Sequence, residues 1–219
     1  MDPTESEPSH DCDRDVVVVG GGPAGCSAGV FTARYGLDTA VFDRGRSSIQ
    51  RCAHLENYLG FPAGIDIETL YELIHDHAEE AGCAIADDLV ESVERADGVD
   101  GFVVEPQEGD AVTARRVVAA TRYDGEYMRG LDDASAMFEE CDHDGETHEA
   151  FDREYADHDG ETPVEGLYVA SPSSEADRQA IVAAGRGARV GLRVVEDIRG
   201  ERGYPEAVVD HYDWMREES

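Results

Sequence analysis

Asp15-Val16-Val17-Val18-Val19-Gly20-Gly21-Gly22-Pro23-Ala24-Gly25-Cys26 decides the fold, because it runs a strand straight into a glycine turn that opens a helix. The four valines suit a strand covered on both faces. Gly20, Gly22 and Gly25 keep the G-x-G-x-x-G spacing, and each has a physical task. Gly20 allows the tight turn, Gly22 lets a pyrophosphate approach the backbone, and Gly25 lets the helix pack closely on the strand. The free N–H groups and the positive dipole end of the helix then face phosphate.

The surroundings support the same unit. Pro23 fits a first helical turn, small residues (Ala24, Ser27, Ala28, Gly29) line the helix start, and Gly36 can cap its end. The apolar run Thr39-Ala40-Val41-Phe42 follows and ends at Asp43. In a right-handed βαβ unit that acid lies at the carboxyl end of the second strand, where a carboxylate accepts hydrogen bonds from an adenosine ribose and disfavours a 2′-phosphate.

Composition bounds the rest. The chain has 219 residues, room for one substantial domain but short for two dinucleotide domains. Its 50 Asp plus Glu face 18 basic residues, every one of them Arg, for a net charge of −32. Such a charge repels nucleic acid and anionic membranes, so neither is expected as a partner. At molar salt, where the Debye length is about 3 Å, the repulsion is screened while the carboxylates keep the surface hydrated, which reads as adaptation to a high-salt cytoplasm. No stretch spans a membrane and the acidic tail 1–14 is no signal peptide, so the expected location is cytoplasmic. Five cysteines (Cys12, Cys26, Cys52, Cys83, Cys141) without a C-x-x-C pair argue against a disulfide framework and a built-in dithiol.

Beyond Asp43, residues 44–64 are rich in Arg, Ser, Gly and Pro and read as a long functional loop. The spacing of Leu70, Leu73, Ile74, His77, Ala78 and Ala81 predicts a helix over 67–81 stopped by Gly82, with His75 and His77 as surface or core-edge groups. Three β runs follow, 89–95, 101–105 and 111–120, joined by Asp97-Gly98 and Gly109-Asp110 as hairpins. The last run ends apolar enough to return into the central sheet. From 131 to 165 the chain turns acidic, with Asp142-His143-Asp144-Gly145-Glu146-Thr147 recurring as Asp157-His158-Asp159-Gly160-Glu161-Thr162. Cys141, His143, His148 and His158 are conceivable metal ligands, but the spacing fits neither an EF-hand nor a zinc pattern, and hairpin turns explain Asp-Gly better. A short buried strand at 166–170 and a small-residue helix from about 176 to 198 complete the domain, leaving a tail 200–219 to pack back or to join a homodimer.

Several separated segments together resemble the flavin domain of thioredoxin reductase-like flavoproteins. Gly20-Gly21-Gly22-Pro23-Ala24-Gly25 is similar to the family's FAD-pyrophosphate loop, and Leu55-Glu56-Asn57-Tyr58-Leu59-Gly60-Phe61-Pro62 to its E-N-Y-P-G-F-P loop beside the flavin. Gly166-Leu167-Tyr168-Val169-Ala170 and the stretch from Arg178-Gln179-Ala180 to Ala188 resemble the closing strand and helix. The resemblance implies an α/β fold: a Rossmann-like FAD-binding domain with a parallel sheet flanked by helices and a three-stranded β meander, over 15–199. It also implies FAD as cofactor, held by Gly20, Gly22, Pro23, Ala24, Gly25, Asp43, Arg44, Asn57, Val90, Thr121, Arg122, Arg178, Gln179 and Ala180. In that assignment Asp43 holds the ribose, Asn57 sits near the isoalloxazine, and Gln179 with Ala180 presents backbone N–H groups to the flavin C2 carbonyl, which stabilises the anionic reduced ring.

The departures carry equal weight. The family's NADPH-binding domain and C-x-x-C pair have no counterpart in the acidic segment 123–165, so reductant is expected from an external donor: a ferredoxin, NAD(P)H or a partner protein. The A-T-G ending the meander reads Ala120-Thr121-Arg122, and the G-D that binds the ribityl chain reads Ser171-Pro172. Arg122 is then a phosphate contact, and Ser173, Ser174 or Asp177 the replacement acceptors. Cys52 and His54 precede the Asn57 loop, and a thiol there, activated by Arg51 or His54, is the one catalytic candidate; a plain loop cysteine is the simpler reading. The expected function is an FAD-dependent oxidoreductase. The alternative is a degenerate nucleotide-binding or regulatory subunit.

Overall fold

The computed structural model describes residues 12–121, 124–132, 134–143, 146–152, 156, 158–171 and 179–200. The opening segment folds as its pattern dictates. β1 (Arg14–Val19) leads into α1 (Pro23–Arg34) with Pro23 at its first position, and β2 (Thr39–Phe42) returns parallel to β1, pairing Val16 with Thr39 and Val19 with Phe42. Within the loop 44–64 there is local order: a 3₁₀ turn, Ser48–Arg51, closed by a capping box between Ser47 and Gln50. The two-residue strands β3 (His54–Leu55) and β4 (Ile65–Asp66) clasp the loop ends. α2 (Ile67–Glu80) starts where Asp66 accepts from the Thr69 N–H at 2.9 Å, an N-cap.

A strand the periodicity misses comes next. β5 (Ala84–Ala86) pairs parallel with β2 at the sheet edge and is too short to show a repeat. The meander follows as β6 (Val90–Arg95), β7 (Phe102–Pro106) and β8 (Val112–Ala119). β8 pairs parallel with β1 along its length, and its other edge is shared. Its first half carries antiparallel β7 and its second half carries parallel β11 (Leu167–Val169), so β8 belongs to both the meander and the central sheet. The path across the sheet is β5-β2-β1-β8-β7-β6.

The described residues between the meander and β11 also fold. They form 3₁₀ turns at Glu126–Met128 and Ala134–Met137 and a hairpin of β9 (Phe138–His143) and β10 (Glu146–Phe151), whose register brackets Asp144-Gly145. Cys141 lies opposite His148 in that register. No group of three metal-ligating side chains occurs among the described residues. The chain closes with α3 (Ala180–Arg199). Gln179 is extended (φ −91°, ψ 139°), so the helix begins at Ala180 rather than near 176. Residues 172–178, with Pro172, Ser173, Ser174, Asp177 and Arg178, lie outside the described residues, as do Arg122 and the tail 201–219.

Alternation along β1 divides the core. Val16 and Val18 pack with α1, α3 and Ala78 of α2. Val17 and Val19 pack on the opposite face against Val93, Phe102 and Val104 of the meander and against Met128, Leu131 and Met137 of the acidic segment. Every valine of the run is 4% exposed or less, as a strand covered on both faces requires. α1 and α3 cross at contact distance because Gly187 lies on the Ala24 carbonyl, where any Cβ would overlap it, and a Cβ on Gly191 would stand 2.7 Å from the Ala28 carbonyl oxygen. A buried Arg116 joins the meander to α3 through Asp197, which also accepts from the Tyr168 hydroxyl at 2.9 Å. No helix among the described residues is long and apolar enough to cross a membrane.

Candidate functional site: a cavity over the glycine turn

A cavity of about 230 Å³ opens at the carboxyl ends of β1 and β2, where an open α/β sheet receives ligands. Its floor is Gly20, Gly21 and Gly22. Gly20 has φ +111°, a conformation that L side chains rarely adopt, and a Cβ there would meet the Ala120 carbonyl at 2.8 Å. Gly25 is not in the lining; it sits under the turn, against the Gly20 carbonyl, so that any side chain would lift α1 off the strand. Pro23 and Ala24 are buried in the same first helical turn. The sequence assigned no task to Gly21, but its Cβ would stand 2.5 Å from the Asp43 Cβ, so the turn and the acid touch only because Gly21 is bare.

Asp43 lines the cavity although only 6% exposed. Burial alone would push its carboxyl up, but hydrogen bonds from His75, Tyr71 and the Gly45 N–H outweigh that and hold it below the usual carboxylate range. It is therefore an anion at neutral pH. Arg44, Arg46 and Arg51 line the mouth, three of the 18 basic residues of a chain carrying −32. Arg44 pairs with Asp124 at 3.0 Å, and neither Arg46 nor Arg51 forms an ion pair with a described residue. The arrangement can cradle a diphosphate by backbone N–H groups and guanidinium charge while a carboxylate stands ready for a ribose hydroxyl.

Val90 and Thr121 line the same cavity. Tyr127, from the acidic segment, closes it: its hydroxyl lies 3.0 Å from the Thr121 Oγ1, which in turn donates to the Asp124 carbonyl. Burial pushes the Tyr127 phenol up, so it stays protonated. Asn57 and Gln179, 122 residues apart, meet through an Asn57 Nδ2 to Gln179 Oε1 bond of 2.7 Å. Neither lines the cavity, so the predicted residues separate into a group around the glycine turn and a pair that joins the 44–64 loop to the start of α3. Cys52 is exposed and outside the lining.

Fold and site define an α/β dinucleotide-binding domain with its ligand cavity at the first βα turn. Residues 14–127 match the family Pyridine nucleotide-disulphide oxidoreductase, more than half of the chain, and the protein belongs to that family. The family and its thioredoxin reductase structural neighbours are FAD-binding. A similar curated protein is the bifunctional thioredoxin reductase/thioredoxin of Mycobacterium leprae, 31% identical over 124 residues, which are 55% of this chain and 26% of the relative. Thioredoxin reductase of Streptomyces clavuligerus is 30% identical over 49% of this chain and 34% of its own. The chain thus spans about a quarter to a third of the length of these relatives. Among solved structures, a thioredoxin reductase from Gloeobacter violaceus superposes with a TM-score of 0.68 at 17% identity, covering 87% of this chain and 97% of that one. That likeness shows the fold.

Proposed function

We propose that the protein is an FAD-dependent oxidoreductase of thioredoxin reductase-like type that takes electrons from an external donor. The carrying observation is the cavity itself: a bare glycine turn at the start of α1, a buried ionised Asp43 and three arginines converge where an ADP moiety would lie. These residues fit the ADP half of FAD. Gly20 to Gly22 and the arginines would hold the pyrophosphate, Asp43 the ribose, and Val90 the adenine. Bound FAD supplies two-electron redox chemistry.

The external donor is supported by two features of the chain. It contains no C-x-x-C pair, and Met128, Leu131 and Met137 of the acidic segment join the core of this same domain. A ferredoxin, free NAD(P)H or a partner protein would then reduce the flavin, in a cytoplasm of high salt. The alternative, a nucleotide-binding or regulatory subunit without turnover, is favoured by Ser171-Pro172 in place of the ribityl-binding Gly-Asp.

The test is the visible spectrum of protein purified in molar KCl. Yellow protein with flavin released on denaturation is the expected result, followed by bleaching under anaerobic NADH, NADPH or reduced ferredoxin. Colourless protein that takes up no added FAD overturns the reading; bound FAD that no donor reduces supports the alternative.

Salt dependence is a separate expectation. With −32 charges on 219 residues, raising KCl from 0.1 M to 2 M should raise the melting midpoint by about 10 °C, equivalent to about 3 kcal/mol of relieved self-repulsion. A flat midpoint across the series removes the high-salt assignment.

A further inference from the structure

Asp43 does not stand alone beside the cavity; α2 reaches it from behind. Tyr71 and His75, four apart on one helical face, pack with ring centroids 4.5 Å apart and planes tilted by 41°. The Tyr71 hydroxyl donates to Asp43 Oδ2. His75 Nε2 lies 2.9 Å from the Gly21 carbonyl oxygen and 3.3 Å from the same Asp43 Oδ2, so one N–H is shared between the turn and the acid. The Gly45 N–H takes Asp43 Oδ1 at 3.1 Å, and Cys26 Sγ donates to the Gly21 carbonyl at 3.2 Å.

The bonding capacity of the carboxylate gives this arrangement a consequence. An ionised carboxylate offers about four lone-pair sites. Tyr71 and His75 occupy Oδ2 and Gly45 one site of Oδ1, so Oδ1 keeps acceptor capacity on a residue that lines the cavity. We propose that Tyr71 and His75 are cofactor-positioning residues, which turn the open lone pair of Asp43 toward the ribose hydroxyls and lock Gly21 beneath the pyrophosphate. This rests on the reading that the cavity binds the ADP half of FAD.

Charge supports the geometry. The hydrogen bond with Asp43, and those with Cys26 and Gly21, outweigh burial and push the His75 imidazole up to about 10, so it is a cation at neutral pH. That cation compensates a buried carboxylate placed beside a diphosphate. The other groups facing the cluster are Cys26 on α1, Tyr71, and Asp87 just beyond β5. Among the described residues the ion pair to Asp43 is the one from His75, and Arg44, the next residue, is engaged with Asp124.

A residue that merely glues α2 to the turn would weaken every ligand alike, whereas one acting through Asp43 affects only ligands with ribose hydroxyls. The experiment titrates ADP and 2′,3′-dideoxy-ADP into the wild type, His75→Gln, Tyr71→Phe and, as reference, Asp43→Asn, each verified as folded by its melting curve. The wild type is expected to prefer ADP about tenfold, the scale of a hydrogen bond to a charged group. Both α2 variants should lose most of that preference with dideoxy-ADP affinity within about twofold of wild type, as in Asp43→Asn. In the wild type the preference should also fall as pH rises toward 10, because the compensating charge is present below that value and lost above it; His75→Gln should show no such fall. Variants that keep the tenfold ratio, at whatever absolute affinity, overturn the positioning role while leaving the nucleotide reading intact. A wild type that binds neither ADP nor FAD overturns both.

Discussion

Gly25→Ala is expected to lower the melting midpoint by about 3 to 9 °C, corresponding to about 1–3 kcal/mol of overpacking, and to weaken ADP about tenfold or more. The added methyl would overlap the Gly20 carbonyl oxygen and approach the Ala120 Cβ to 3.2 Å. Neither neighbour can give way. Gly20 is held at φ +111° against the Ala120 carbonyl, and Ala120 itself continues β8, the strand shared by both parts of the sheet. The strain must therefore move α1, and α1 is pinned behind by Gly187 on the Ala24 carbonyl. A displaced α1 takes its N–H groups away from the diphosphate, so binding falls beyond what stability loss explains. Gly185→Ala is the control: its Cβ would have nothing within 4 Å, and a helix-interior Gly→Ala change at an open position adds about 0.5–1 kcal/mol of stability. Melting curves and ADP titrations on both variants give the comparison. Equal behaviour would mean the turn is not the tight crossing described.

How much of this was legible in the sequence depends on the distance over which each signal acts. β1, the glycine turn, α1 and β2 are local patterns and fold where their residues predict. The meander is legible too, since each strand is bounded by its own turn residues. β5 is not, because three residues, Ala84-Ile85-Ala86, carry no period. The Asp43 site is half legible: the acid follows from its place after β2, whereas Tyr71 and His75 bind it from 28 and 32 positions away and look like ordinary residues of an amphipathic helix. The signal that was available is their i, i+4 spacing beside a helix face otherwise apolar. The arginines at the mouth were visible as composition, but only the fold shows that Arg44, Arg46 and Arg51 share one cavity. In the acidic segment the average hid the pattern. Met128, Leu131, Ala134 and Met137 recur every third residue, the period of a 3₁₀ helix, and all four are 4% exposed or less.

That buried series leads to the second large effect. Met128→Ala and Met137→Ala should each destabilise the whole domain by about 2–5 kcal/mol, lowering the midpoint by about 5–15 °C. Both side chains are fully buried, in one cluster with Val93 and Phe102 of the meander and Val17 of β1. The turns that hold them are closed by bonds from the Met128 N–H to the Gly125 carbonyl and from the Leu131 and Ala134 N–H groups to the carbonyls of Met128 and Leu131. Truncation leaves a cavity that rigid β-strands on one side cannot fill. Because the cluster is continuous with β1, each variant should melt in a single transition at the lower temperature, by circular dichroism as by calorimetry. An appendage would instead show a separate early transition with the main one unmoved. Glu126→Ala in the same segment should shift stability by less than about 0.5 kcal/mol, since that carboxylate is largely exposed and its ion pair among the described residues is the i, i+3 one with Arg129. The contrast separates the two jobs of the segment. Its carboxylates add to the surface charge of the chain, while its few apolar side chains close the second face of the sheet, and Tyr127 with Asp124 forms one wall of the cavity.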